Sequence, residues 1–508
     1  MRLNPSDYLG FNISTLHAEI PVRYSRYLRN VQGITSEFIT LPRQRRAVDS
    51  PVTSIRMHGL VEHEFFHARH TFSSTFGWLL YFLHSYNNAN RSYFVDHVDF
   101  ESLIKAQGSF VHSFMQHRKK PEATMVFCVF LFVSALLDLL KATRAADLMR
   151  YDVCCDSLHT WFSADYKQST PFRRRNVRPP EAESVFPLKL LPEVTIPDRI
   201  DDHGGLLLWH VLEGIATWKE YLAISQLAWF TQRTHFKEIT TNWLAQTRDK
   251  SLYRFASDLI LASTGANMSM ALPGILLDIA LNPDLSSPLI WSDFHPVSRL
   301  RQLLAHAGEL PLKYKRFDNC ELVDDGFYRE VESFFSSRLG WQTVSTSALN
   351  MARTIRNNAE ELIKLEHDNP AGKGVALAKF VRALEIRAAV PSAFLFSWNS
   401  PDPTSLDRTI RPLVIEWMDE VQLSHTNPEE RYALTLEAYT SVRRLVLELM
   451  IRTHSGHGRD LGHIERLYHK VKSQYPSIDA PNHIYSYVAK EMKITETTLK
   501  SAVIRRFI

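Results

Sequence analysis

The sequence predicts a mainly α (α+β) fold: a helical core, a small N-terminal β element and an all-helical C-terminal domain. Three observations predict it. The stretch from Gly59 to about Ser85 contains no proline and carries an apolar surface broad enough for a largely buried helix. Helical patterning fills 206–310 and returns beyond about 340. The first 55 or so residues instead hold short β-branched runs, GITSEFITL and PVTSIRM, between turn formers. The 508-residue chain divides on this basis into residues 1–340 and a helical domain over 341–508.

Taken in order, residues 59–150 read as long helices. Within them MVFCVFLFVSALL, 125–137, is the most apolar run before Asp138, too short to cross a bilayer and suited to a buried core helix. Residues 165–202 change character. They are rich in proline, carry Arg173, Arg174 and Arg175, and read as an extended loop able to cover a cleft. Helices resume at 206, with Leu272-Pro273-Gly274 expected as a break or kink. LNMARTIRNNAEELIKL and RYALTLEAYTSVRRLVLELMI continue the helical pattern to the C-terminal domain.

Composition narrows the function. Hydrophobic residues make up 45% and charged residues 22%, an ordinary globular mix with enough apolar side chain for a large core. A net charge of +4 is too small to argue for nucleic acid by itself. The four cysteines form no CxxC pair, which removes a cysteine-based zinc site and fits a reducing compartment. MRLNPSDYLGFNIS has no long apolar run, so no signal peptide is read there; the expectation is a soluble, cytoplasmic protein with no membrane partner.

The chemistry concentrates in VEHEFFHARH, residues 61–70. His63-Glu64-Phe65-Phe66-His67 is an H-E-x-x-H string. On a helix, residues four apart project from the same side, so two imidazoles can bind one zinc ion and Glu64 lies beside it. The plain alternative is a histidine-rich core helix. His70 is not a ligand on this reading: seven residues from His63, it lies about 10.5 Å further along the axis. It suits a supporting or surface position. A metzincin extension needs glycine and histidine where His70 and Ser73 stand.

A catalytic zinc site usually takes three protein ligands. WHVLEGIATWKEY, 209–221, offers Glu213 with Gly214 and Ala216 beside it. Its setting of Leu206, Leu207, Leu208, Trp209, Leu212, Ile215 and Trp218 reads as buried. A carboxylate there needs a partner, because burying an unpaired charge is costly. The competing donors are Asp96, His97, Asp99 and Glu101 in VDHVDFE; Glu213 is preferred for its small, apolar neighbours.

HExxH followed on a second helix by E-G-x-A resembles the zincin metallopeptidases of the glutamate-ligand type, the gluzincins. The resemblance covers two short windows. It implies a zincin-like core, His63, His67 and Glu213 as zinc ligands, Glu64 as general base, and a peptide or protein substrate. The gap from His67 to Glu213 departs from the pattern, being far longer than the few tens of residues usual in that group. His295-Pro296 with Arg299 similarly resembles an H-P…R element of some zincins, which implies His295 or Arg299 as an oxyanion stabiliser. The same residues also fit a helix start with a structural arginine. His203 and His210, flanking the second window, are weaker candidates.

A rival function lies at the C-terminus. AKEMKITETTLKSA, within 484–507, resembles a bacterial helix-turn-helix, with Thr495 as a helix cap. Lys500, Arg505 and Arg506 suit phosphate contacts, so the alternative is a regulatory protein whose partner is nucleic acid.

Overall fold

The computed structural model describes residues 10–12, 17–19, 51–97, 133, 136, 137, 140, 172–173, 176–177, 194–195, 205–231, 240, 251–265, 271–285, 289–315, 325–365, 374–396 and 497. Of these, 84% are helical, so the fold is mainly α. The segment 484–507, apart from Thr497, lies outside the described residues, as do GITSEFITL, Asp99, Glu101 and His203.

The N-terminal β element is a hairpin of β1 (Gly10–Asn12) and β2 (His17–Glu19), antiparallel with Phe11 opposite Ala18. PVTSIRM, expected as β, instead opens helix α1 (Pro51–Ser73). Proline is favoured at a first helical position, where no N–H is needed, and the weak β preference of Val52 and Thr53 yields to tertiary packing. Ile55 from this turn is buried.

The proline-free stretch is two helices rather than one. α1 stops at Ser73 and α2 (Thr75–His97) begins after Ser74. The break is built from local and distant bonds. Ser74 Oγ accepts from the Gly77 N–H at 3.1 Å, and a Cβ on Gly77 would fall 2.2 Å from the Thr71 carbonyl oxygen. The Thr75 N–H donates to Asn282 Oδ1 at 3.2 Å, and its hydroxyl donates to the Pro283 carbonyl at 2.6 Å.

α3 (Leu208–Thr231) runs against α1 and is flanked by α4 (Ser251–Thr264) and α5 (Ala271–Ala280). Pro273 does not interrupt a helix. It sits in the first turn of α5, where a missing N–H costs nothing. Gly274 lets Trp218 lie on the helix backbone, since a Cβ there would meet the indole at 2.5 Å. Trp209, expected among the buried residues, is 40% exposed at the start of α3.

The described residues of the proline-rich segment, expected as a loop, are strands. β3 (Phe172–Arg173), β4 (Asn176–Val177) and β5 (Val194–Thr195) form a sheet with β6 (Leu289–Ile290), in the order β3-β4-β5-β6, and β5 pairs β6 in parallel through Val194 and Leu289. Strands of two residues carry no alternation for sequence reasoning to detect.

After β6 come α6 (Trp291–Phe294), α7 (Pro296–Ala307), α8 (Leu312–Lys315) and α9 (Asp325–Leu339). α10 (Val344–Asn357), α11 (Ala359–Leu365), α12 (Val375–Ala389) and α13 (Ala393–Phe396) follow. The boundary expected at 340 falls between α9 and α10; across it, α12 packs on α1. One apolar core joins Phe66 and Phe72 of α1 to Phe380 of α12 and Leu395 of α13. Val133, Leu136, Leu137 and Leu140 are helical and buried in it, as the apolar run at 125–137 suggests. Among the described residues, no helix is long and apolar enough to cross a membrane.

Candidate metal centre

The α-helical repeat puts His63 and His67 on one side of α1, facing α3. α3 returns Glu213 to the same place. The His63 Nε2 lies 3.0 Å from Glu213 Oε2, and the His67 Nε2 lies 3.4 Å from Glu213 Oε1. The two Nε2 atoms are 3.3 Å apart, with the rings edge-on at 79°. His63 and Glu213 are buried and His67 is half-buried. One ligand atom from each of the three lies within 4.8 Å of the others, so the group can hold a metal ion.

Gly214, beside the carboxylate, does allow a close approach, but to α4 and α5 rather than to α1: a Cβ there would touch Ala256 at 3.3 Å and Leu277 at 3.5 Å. The glycine that admits α3 to α1 is Gly59, where a Cβ would fall 2.5 Å from Ile224.

The electrostatics follow from this packing. Burial alone would lower the His63 pKa, but the Glu213 and Glu220 carboxylates outweigh it and push the imidazole up to about 10. Burial would raise Glu213; His67 and His63 instead hold it well below the usual carboxylate range. Glu64, half-buried in the next position after His63, is raised by burial, and the two imidazoles only partly oppose this.

No protein-family model, curated protein or solved structure matches this chain. Any assignment of the centre therefore rests on its geometry and chemistry.

Two residues that sequence reasoning missed belong to this neighbourhood. Glu220, two turns after Glu213 on α3, has its Oε2 3.2 Å from His63 Nδ1. Tyr253 of α4 meets the His63 ring edge-on at 6.0 Å. Burial first, then the Glu213, Glu64 and Glu220 charges, push its phenol up to about 12. Glu220 could have been found by the i, i+7 spacing from Glu213; nothing in the sequence relates Tyr253 to the motif.

The remaining candidates lie elsewhere in the packing. His70 is not a ligand to this group and is not on the surface: its Nε2 is 2.8 Å from Asp278 Oδ1, fully buried. His295 precedes Pro296 at the start of α7 and stacks on Trp291 at 4.2 Å. Arg299 donates to the carbonyls of Asp293 and Ile279 and lies 3.7 Å over the Trp341 ring, the work of a structural arginine. His210 accepts the Leu207 N–H on Nδ1, which closes the start of α3. Asp96 and His97 fall in the last turn of α2, and their side chains lie outside the described residues.

Proposed function

We propose that the protein is a zinc-dependent metallopeptidase, with His63, His67 and Glu213 as ligands and Glu64 as general base. The observation that carries this is the convergence of the three side chains: the two Nε2 atoms are 3.3 Å apart, and each meets one Glu213 carboxylate oxygen, His63 at 3.0 Å from Oε2 and His67 at 3.4 Å from Oε1. Tetrahedral zinc with bonds of about 2.0–2.1 Å sets its ligand atoms about 3.4 Å apart. Two imidazoles and one carboxylate are also a donor set that zinc favours in hydrolytic sites, leaving a fourth position open.

When bound, zinc would lower the pKa of its water to about 7 and polarise the substrate carbonyl. Glu64 takes the proton of the attacking water on a carboxylate oxygen and later delivers it to the leaving amine nitrogen. Its raised pKa suits both directions of that transfer. The oxyanion needs a donor close to the centre. The ring contact with His63 supports Tyr253 for that role, while the His295 ring stacks on Trp291.

Zinc content and peptide hydrolysis, measured side by side on wild type, His63→Ala and Glu64→Gln, test the reading. About one zinc per chain is expected in wild type and in Glu64→Gln, and none in His63→Ala. Hydrolysis of a peptide library should fall by about 10²–10⁴-fold in Glu64→Gln. A wild-type protein that takes up no zinc would make this a histidine-rich core helix.

A further inference from the structure

Resting on the metal centre just proposed, we propose that Glu220 is a positioning residue for it, holding His63 in the one tautomer and orientation that can bind the ion. His63 turns its Nε2 toward Glu213 and His67 and its Nδ1 toward Glu220. A neutral imidazole that gives its Nε2 lone pair to a metal carries its proton on Nδ1. That proton is in a dry place, with the side chains of His63 and Glu220 only 6% and 9% exposed. A buried N–H requires an acceptor, and Glu220 Oε2 stands 3.2 Å away.

The helix that supplies the ligand also supplies the acceptor. Glu213 and Glu220 are seven residues apart on α3, so they share a face, and their side chains converge on the two nitrogens of one ring. Gly59, one turn before His63 on α1, makes room for this. A Cβ there would fall 3.3 Å from Glu220 Cγ as well as against Ile224.

The test is zinc affinity of the full chain, by competition with a chromophoric chelator, for wild type, Glu220→Ala and Glu220→Gln. Glu220→Ala should bind zinc about 10–100-fold more weakly, the usual effect of losing a carboxylate behind a ligating histidine. Glu220→Gln still offers an oxygen to Nδ1–H and should recover most of that loss. Unchanged affinity in Glu220→Ala, or a Glu220→Gln variant as weak as the alanine, would overturn the assignment while leaving the three ligands in place. Should the alanine variant not fold, the Nδ1 proton of His63 in zinc-loaded wild type and Glu220→Gln decides the matter by nitrogen-15 NMR. A slowly exchanging Nδ1–H in both is expected, and its absence from wild type overturns the proposal. A wild-type chain that binds no zinc removes the centre itself, a failure distinct from that of Glu220.

Discussion

In the proposed mechanism Tyr253 and His295 are rivals for one role, and single substitutions separate them. Tyr253→Phe removes only the phenol, so zinc content should stay and kcat/KM should fall by about 10²–10³-fold if that oxygen steadies the oxyanion. His295→Ala should instead cost stability with little effect on the hydrolysis rate of the folded protein, because its ring packs on Trp291. Steady-state kinetics with a thermal melt on both variants check this; a normal rate in Tyr253→Phe removes the phenol from the mechanism. The residues of the centre differ in how openly the sequence displays them. His63, His67 and Glu64 stand within one helical turn and are read from spacing alone. Glu213 is read from the cost of burying its charge among Leu, Ile and Trp. Glu220 obeys the same helical spacing, yet nothing in WKEY ties its carboxylate to His63 until α1 is laid against it. Tyr253 comes from another helix, and no interval along the chain points to it.

At the scale of elements, helix boundaries are where local patterning misleads. Apolar periodicity runs straight through Ser74, and only the bonds to Asn282 and Pro283 show why the chain turns there. Pro273 reads as a breaker but occupies a helix start. α10 begins on a different device: buried Glu332 accepts the Val344 N–H, and Thr343 Oγ1 accepts the Thr346 N–H at 3.2 Å. Burial, only partly offset by the Val344 N–H, pushes Glu332 up from 4.5 to about 7. A carboxyl whose folded pKa is raised binds its proton more tightly in the native state. Its contribution to stability is thus full below about pH 4.5 and lost as pH rises through about 7, in all about 3 kcal/mol. Glu332→Gln, neutral throughout, should match wild type near pH 4.5 and exceed its stability at pH 8. Denaturant titrations at the two pH values test this, and equal gaps between the proteins at both would refute the shift.

At the scale of the whole molecule, the polar centre is Asp278 rather than the candidate metal centre. Its carboxylate takes His70 of α1 at 2.8 Å, the Tyr328 hydroxyl of α9 at 2.7 Å and Arg387 Nη1 of α12 at 2.7 Å. Arg387 Nη2 goes on to Ser73 Oγ at 3.1 Å, and the Pro391 carbonyl accepts from Nη1. Arg387 and Asp278 are both fully buried, so removing one leaves the other charge stranded. Asp278→Ala should destabilise the protein by about 3–5 kcal/mol in equilibrium unfolding, and a loss below about 1 kcal/mol would show the cluster to be dispensable. The sequence discloses the mainly α class, because long helices repeat their apolar pattern many times. It hides this cluster, whose partners are 208, 50 and 109 residues from Asp278 and have no periodic relation to it. It hides the four-stranded sheet for the opposite reason, since each strand is too short to hold a pattern.

The bond from Arg387 to Ser73 spans 314 residues and ends at the last residue of α1, the helix that carries His67. During synthesis, His63, His67 and Glu213 all emerge from the ribosome well before Arg387 does. The helix bearing the two histidines is thus left without its far anchor while all three candidate metal ligands are already present. A nascent chain halted before residue 387 should be cut by an added protease within α1, whereas the finished chain resists.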